Sequence, residues 1–128
     1  LLVTRLEGRH LVVVNASNRL KLVDWFLKQL QSPDTKLKDH THDSAMIALQ
    51  GPRAMELVRK VVSEPIDSLA YYYATEVEVL DQPAIVSRTG YTGEDGCEII
   101  CPASSATPLW EKLLKLGQPL GAKAVGLG

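Results

Sequence analysis

The stretch Arg88-Thr89-Gly90-Tyr91-Thr92-Gly93-Glu94-Asp95-Gly96-Cys97-Glu98-Ile99 limits what this chain can fold into more than any other. Three glycines fall within seven residues, two acids stand beside the last of them, and a third acid returns inside an apolar run. Glycine adopts positive φ without steric cost, so the segment turns tightly and brings backbone close to whatever it faces. The run after it, Cys97 to Cys101, reads as a strand, with Glu98 the one charged residue in it. A ring at Tyr91 and a sheet-borne carboxylate at Glu98 together suit a flat, polar heterocycle.

Around this segment the periodicities predict an α+β fold. Leu1 to Thr4 and Leu11 to Val14 are β-type runs joined by Glu7-Gly8, a hairpin signal. Asn15, Ser17 and Asn18 are competent caps for a helix over about 18–31, whose stripe is Leu20, Val23, Leu27 and Leu30. Ala45 to Leu49 is a short strand. Gln50-Gly51-Pro52 then starts a second helix, striped by Met55, Val58 and Val62 and ended by Pro65. Tyr72 to Leu80 alternates as a half-exposed strand, and Asp81-Gln82-Pro83 turns it into Ala84 to Ser87. Thr107-Pro108 opens a third helix with Leu109, Leu113 and Leu116 inward, stopped by Gly117 and Pro119. One layer of strands with helices on one face gives a ferredoxin-like or split-βαβ antiparallel sheet in a single domain, 1–128.

Charge narrows the function. With 14 basic against 15 acidic residues the net charge is −1, which argues against nucleic acid as a partner. No apolar run approaches the roughly 20 residues of a membrane span. Cys97 and Cys101 share a strand face about 13 Å apart, too far to pair with each other. As reduced core thiols they favour an intracellular compartment. Asp39-His40-Thr41-His42-Asp43 reads as a solvated loop with no third ligand at metal spacing, so no metal is expected. Tyr71-Tyr72-Tyr73 is expected to pack in the sheet. No Cys–His or Ser–His–acid set suggests nucleophilic catalysis.

Glu98 admits two readings. It is an edge-strand acid facing water, like Glu76 and Glu78, or it is a ligand anchor. In the second, one carboxylate accepts two parallel N–H bonds from a guanidine-like edge, such as that of a pterin or guanine.

Ala48-Leu49-Gln50-Gly51-Pro52, Leu11-Val12-Val13-Val14-Asn15-Ala16 and the glycine-rich string together resemble the aminomethyltransferase (T-protein) family of the glycine cleavage system. Gly126-Leu127-Gly128 resembles the run ahead of that family's Ala-Arg-Asp segment. The resemblance implies a tetrahydrofolate enzyme that takes an aminomethyl group from the lipoyl arm of the H-protein and releases ammonia. It implies that Glu98 holds the 2-amino and N3 edge of the pterin, with Tyr91 and Asn15 as further contacts. It also places the family's catalytic aspartate one or two positions ahead of Leu1 and an arginine after Gly128. The expectation is therefore a folate-binding part of a longer enzyme, inactive alone, from a bacterial cytoplasm or mitochondrial matrix. Two other expectations compete: the T-protein-like domain of a dimethylglycine or sarcosine dehydrogenase, and a non-catalytic module that keeps the fold.

Overall fold

A computed structural model describes residues 1–126; Leu127 and Gly128, part of the terminal run likened to the family, lie outside the described residues. The chain divides into two compact units, Leu1–His42 and the segment from Asp43 onward.

In the first unit, β1 (Leu2–Leu6) and β2 (Arg9–Val13) pair antiparallel, with Leu2 opposite Val13 and Leu6 opposite Arg9. Gly8 makes the turn at φ +68°, where a Cβ would be strained. Asn15 follows, then a 3-10 turn and α1 (Arg19–Gln29). The expected side-chain caps do not form. Asn15 serves the turn through its carbonyl, which accepts from Asn18 N–H at 2.9 Å. The loop after α1 is held back to the helix by Arg19, whose guanidinium grips Asp39 at 2.7 and 3.0 Å. Thr41 N–H donates to the same carboxylate at 3.0 Å. These bonds, with that of the Thr41 side chain, hold the Asp39 carboxyl well below the usual carboxylate range. Among the described residues no group of three or more His, Cys, Asp or Glu could hold a metal ion.

The second unit is a four-stranded antiparallel sheet with helices on one face. Its strands are β3 (Ser44–Gln50), β4 (Ala74–Val79), β5 (Gln82–Ser87) and β6 (Gly96–Pro102), in the order β3-β6-β5-β4. α2 (Ala54–Val58) and α3 (Ala106–Gly117) supply Met55, Leu57, Val58, Leu109 and Leu113 to the core. From the sheet the same core receives Cys97, Ile99 and Cys101 of β6, Ala84 and Val86 of β5, and Val79 of β4. Every second residue of β6 therefore points at the helices.

Four local expectations are corrected. The second helix stops at Val58 instead of running toward Pro65. Val62 bridges to Val79, Leu80 N–H donates to Val61 O, and Ser63 N–H donates to Glu78 O, both at 2.9 Å, so the sheet edge takes this backbone. The β4–β5 turn is Leu80-Asp81, both at positive φ, and not Asp81-Gln82-Pro83. Pro83 sits in β5 opposite Glu78, outside the span of β5 that pairs with β6, where a missing N–H is tolerated. Tyr71, Tyr72 and Tyr73 precede β4, and all three are exposed. The first two stack edge to face, and Tyr72 turns the chain at φ +67°. Finally, β6 is an interior strand, so Glu98 is not an edge-strand acid.

Both cysteines are free and buried. Burial, then the nearby charges of Asp95 and Glu98, push the Cys97 thiol up to about 12; burial also raises Cys101. A thiolate is the reactive form, so both thiols should be inert at neutral pH. An aromatic disulfide reagent is expected to titrate neither cysteine in the native protein and both in denaturant. Rapid native labelling would show that the core opens far more readily than this packing allows.

Candidate functional site

β6 carries a carboxylate on the face turned away from the helices. Register places Glu98 opposite Ala48 of β3 on one side and Ser87 of β5 on the other, and Ser87 in turn opposite Ala74 of β4. The next row on that face is Met46, Ile100, Ile85 and, on β4, Glu76. Glu98 thus stands in a row of small side chains, beside a row that is apolar up to Glu76 on the edge strand. Neighbouring strands are about 4.8 Å apart, and within this row Ala48 is exposed while Ser87 is buried.

The glycine-rich segment leaves β5 at Ser87 and re-enters the sheet at Gly96. Its base is tied by Arg88 and Asp95, which meet through two parallel bonds of 2.9 and 2.7 Å. The third guanidinium nitrogen donates to Leu69 O at 2.8 Å, and Asp95 Oδ1 accepts from Gly96 N–H at 3.0 Å. Such a fork is planar and directional, so it sets the loop's take-off angle. Arg88 holds the Asp95 carboxyl below its usual range, and Asp95 raises Arg88 in return.

Gln50, at the end of β3, is the second tie. Its Nε2 donates to Thr89 O at 2.9 Å and to Cys97 O at 3.1 Å, spanning the two ends of the loop. Its Oε1 is buried without a hydrogen-bond donor, facing the α-carbons of Gly90 and Gly96. A Cβ at Gly90 would lie 2.1 Å from that oxygen, and one at Gly96 would lie 2.4 Å from Leu49 O. Both glycines are there for space. Gly93, at φ +78° with open space around it, is there for conformation.

The carboxylate is held from below. Thr89 Oγ1 donates to Glu98 Oε2 and also stands 3.0 Å from Ser87 Oγ. Thr89 and Ser87 are each 4% exposed, and Glu98 is half-buried. Among the described residues the other oxygen, Oε1, meets no donor. Tyr91 lies at the loop tip, 94% exposed. Asn15 belongs to the first unit, exposed where β2 gives way to the 3-10 turn. Sequence reasoning singled out Glu98 but not Thr89 or Ser87 as site residues, and it treated Gln50 as a helix-start signal and part of a family motif. A polar residue ending β5 hinted at Ser87; nothing local marks Thr89 as its neighbour.

Comparisons with known proteins bear on the family and the fold. The family model of the GCVT N-terminal domain matches residues 1–128. An aminomethyltransferase of Bacillus cytotoxicus is 42% identical over 129 residues, covering 100% of this chain and 35% of that protein. One from Bacillus pumilus is 40% identical over 123 residues, covering 95% of this chain and 34% of its own length. The chain therefore spans about a third of the length of these curated relatives. A solved structure of a heterotetrameric sarcosine oxidase from Corynebacterium sp. U-96, in complex with pyrrole 2-carboxylate, aligns with a TM-score of 0.74. That match covers 97% of this chain and 63% of the other at 19% identity, a likeness of fold.

Two expectations follow from the ties. Gly90→Ala should cost about 2–4 kcal/mol in urea denaturation, because Gln50 must abandon both carbonyls to admit the methyl group. Gly93→Ala should cost only about 1–2 kcal/mol, the penalty of positive φ alone. Equal costs would remove the clamp from the account. The second concerns acid. A depressed carboxyl contributes stability above its ordinary value of about 4 and loses it as pH falls through the lower folded value. Asp95→Asn should therefore lower stability at pH 7 and flatten the decline as pH falls below the ordinary carboxylate range, read by denaturation at each pH.

Proposed function

Because the chain belongs to the family of the GCVT N-terminal domain, we propose that it is the folate-binding part of an aminomethyltransferase. In this reading the complete enzyme moves a one-carbon unit from the aminomethyl-lipoyl arm of the H-protein to tetrahydrofolate, and ammonia leaves. The curated relatives carrying the name aminomethyltransferase support that choice over a dehydrogenase or an idle module.

The observation that carries the folate reading is the free edge of Glu98. An ionised carboxylate offers about four acceptor sites, and Thr89 uses one of them. The 2-amino and N3 edge of a reduced pterin presents two parallel N–H donors, the complement of what is left. The sheet face suits the ring: Ala48 beside Glu98 is small and exposed, while Met46, Ile100 and Ile85 offer apolar surface. Tyr91, exposed at the tip of the glycine-rich loop, is a further contact in this reading. Tetrahydrofolate itself supplies the nucleophilic nitrogen that receives the carbon. The chain's contribution is to bind the pterin, fix its orientation and keep it desolvated.

Glu98→Gln turns one acceptor of the pair into a donor that faces the ligand's own N–H. The affinity of the complete gene product for tetrahydrofolate, measured by isothermal titration, is expected to fall about tenfold or more. Unchanged affinity would refute the anchor role.

A further inference from the structure

We propose that Thr89, backed by Ser87, is the positioning residue that sets the plane and polarity of the Glu98 carboxylate, and so the selectivity for a ligand edge with two donors. The inference rests on the folate reading above and adds to it a residue pair that does not touch the ligand.

The need for such a residue comes from the side chain itself. The terminal torsion of glutamate is broad and roughly two-fold, so rotamer preference does not fix the plane of the carboxylate. Two parallel bonds to a flat ring demand that plane. Threonine is suited to hold it, because branching at Cβ stiffens χ1. Its backbone adds to the constraint. Thr89 N–H donates to Ser87 O at 2.9 Å, a three-residue turn that curls the chain as it leaves β5. Gln50 takes the Thr89 carbonyl at 2.9 Å, so the residue is held at its backbone as well. Its hydroxyl, 4% exposed, is left aimed at Glu98 Oε2.

Polarity follows from counting protons. A hydroxyl has one to give. The Thr89 oxygen faces both the carboxylate and Ser87 Oγ, the latter at 3.0 Å; with its one proton committed to the carboxylate, the two hydroxyls can bond only if Ser87 donates. The order is Ser87 to Thr89 to Glu98, and each member is satisfied only if Glu98 accepts. A carboxylic acid or an amide at position 98 presenting a donor to Thr89 would force the relay to reverse. With Thr89 donating, Glu98 Oε2 is held as an acceptor in a fixed plane, and the remaining lone pairs face a ligand edge that donates.

The test uses Thr89→Val, which keeps the shape and removes the proton, and Thr89→Ser, which keeps the proton and loses the methyl group. Both are made in the complete gene product, with binding measured for a reduced pterin and for its 2-deamino counterpart, and with thermal unfolding measured in parallel. Thr89→Val is expected to weaken binding of the 2-amino ligand about tenfold and to shrink its advantage over the 2-deamino ligand; Thr89→Ser should stay within about threefold of the parent. If Thr89→Val proves unfolded, Ser87→Ala carries the test, with an expected loss of about threefold and the same shrinking advantage. Binding that Glu98→Gln weakens but Thr89→Val or its substitute leaves unchanged overturns the relay and spares the folate reading. Equal losses in the valine and serine variants also overturn it, since methyl packing would then be the cause. A parent protein that binds no reduced pterin overturns both.

Discussion

One side-chain amide holds the site together. Gln50 reaches from the end of β3 and donates to the carbonyls of Thr89 and Cys97. Thr89 is the residue whose hydroxyl supports the carboxylate, and Cys97 is the neighbour of Glu98 in the chain. The bonds thus close a ring: amide to Thr89 backbone, Thr89 hydroxyl to Glu98, Glu98 backbone to Cys97, and Cys97 back to the amide. Inside the ring the orientation of Gln50 is not ambiguous. Exchanging its oxygen and nitrogen would aim the oxygen at two carbonyls. The observed orientation leaves Oε1 without a donor, at a cost of about 1–3 kcal/mol. Two donated bonds, and the close α-carbons of Gly90 and Gly96, offset that cost.

The Arg88–Asp95 fork acts on the same loop at a different place. It joins the residues just outside Thr89 and just before Gly96, so the loop's two legs are pinned twice, once by charge and once by amide. The fork is partly exposed and answers to acid; the amide is buried and does not. What the two ties leave unpinned is the tip, including Tyr91 and Gly93. The two ties thus fix the base of the loop beside the carboxylate, while Tyr91 stands exposed at its tip.

Much of this was legible along the chain because it is local. Hairpin, first helix and third helix followed from turn residues and apolar spacing, and the paired burial of Cys97 and Cys101 followed from strand alternation. The misreadings have a common cause. Val62 fits a helical stripe, yet the backbone of 61–63 finds better partners at the sheet edge. The three tyrosines have high strand propensity, yet they precede the strand, and Tyr72 turns it at positive φ. Glu98 could be read as an edge acid because spacing within a strand says nothing about who lies beside it. Its neighbours Ala48 and Ser87 are 50 and 11 positions away in the chain, set by sheet order alone. Thr89 was invisible for the same reason: its importance lies in what a turn and a register bring beneath Glu98.

The alternation of β6 binds core and site into one constraint. Cys97, Ile99 and Cys101 are buried against the helices, so Glu98 and Ile100 must take the other face. A slip of one residue would turn every side chain of the strand over. Glu98 would then enter a core built of Val58, Val86 and Leu109 with no partner for its charge, and Ile99 would leave it. Burying an unpaired carboxylate costs far more than exposing one isoleucine. The acid that marks the candidate site therefore also forbids the wrong register. An interior strand is where that prohibition is strongest, because β3 and β5 on both sides would have to slip with it. Replacing Glu98 by a neutral apolar residue would remove the one carboxylate of β6 and, at the same stroke, the charge that makes only one register of that strand tolerable.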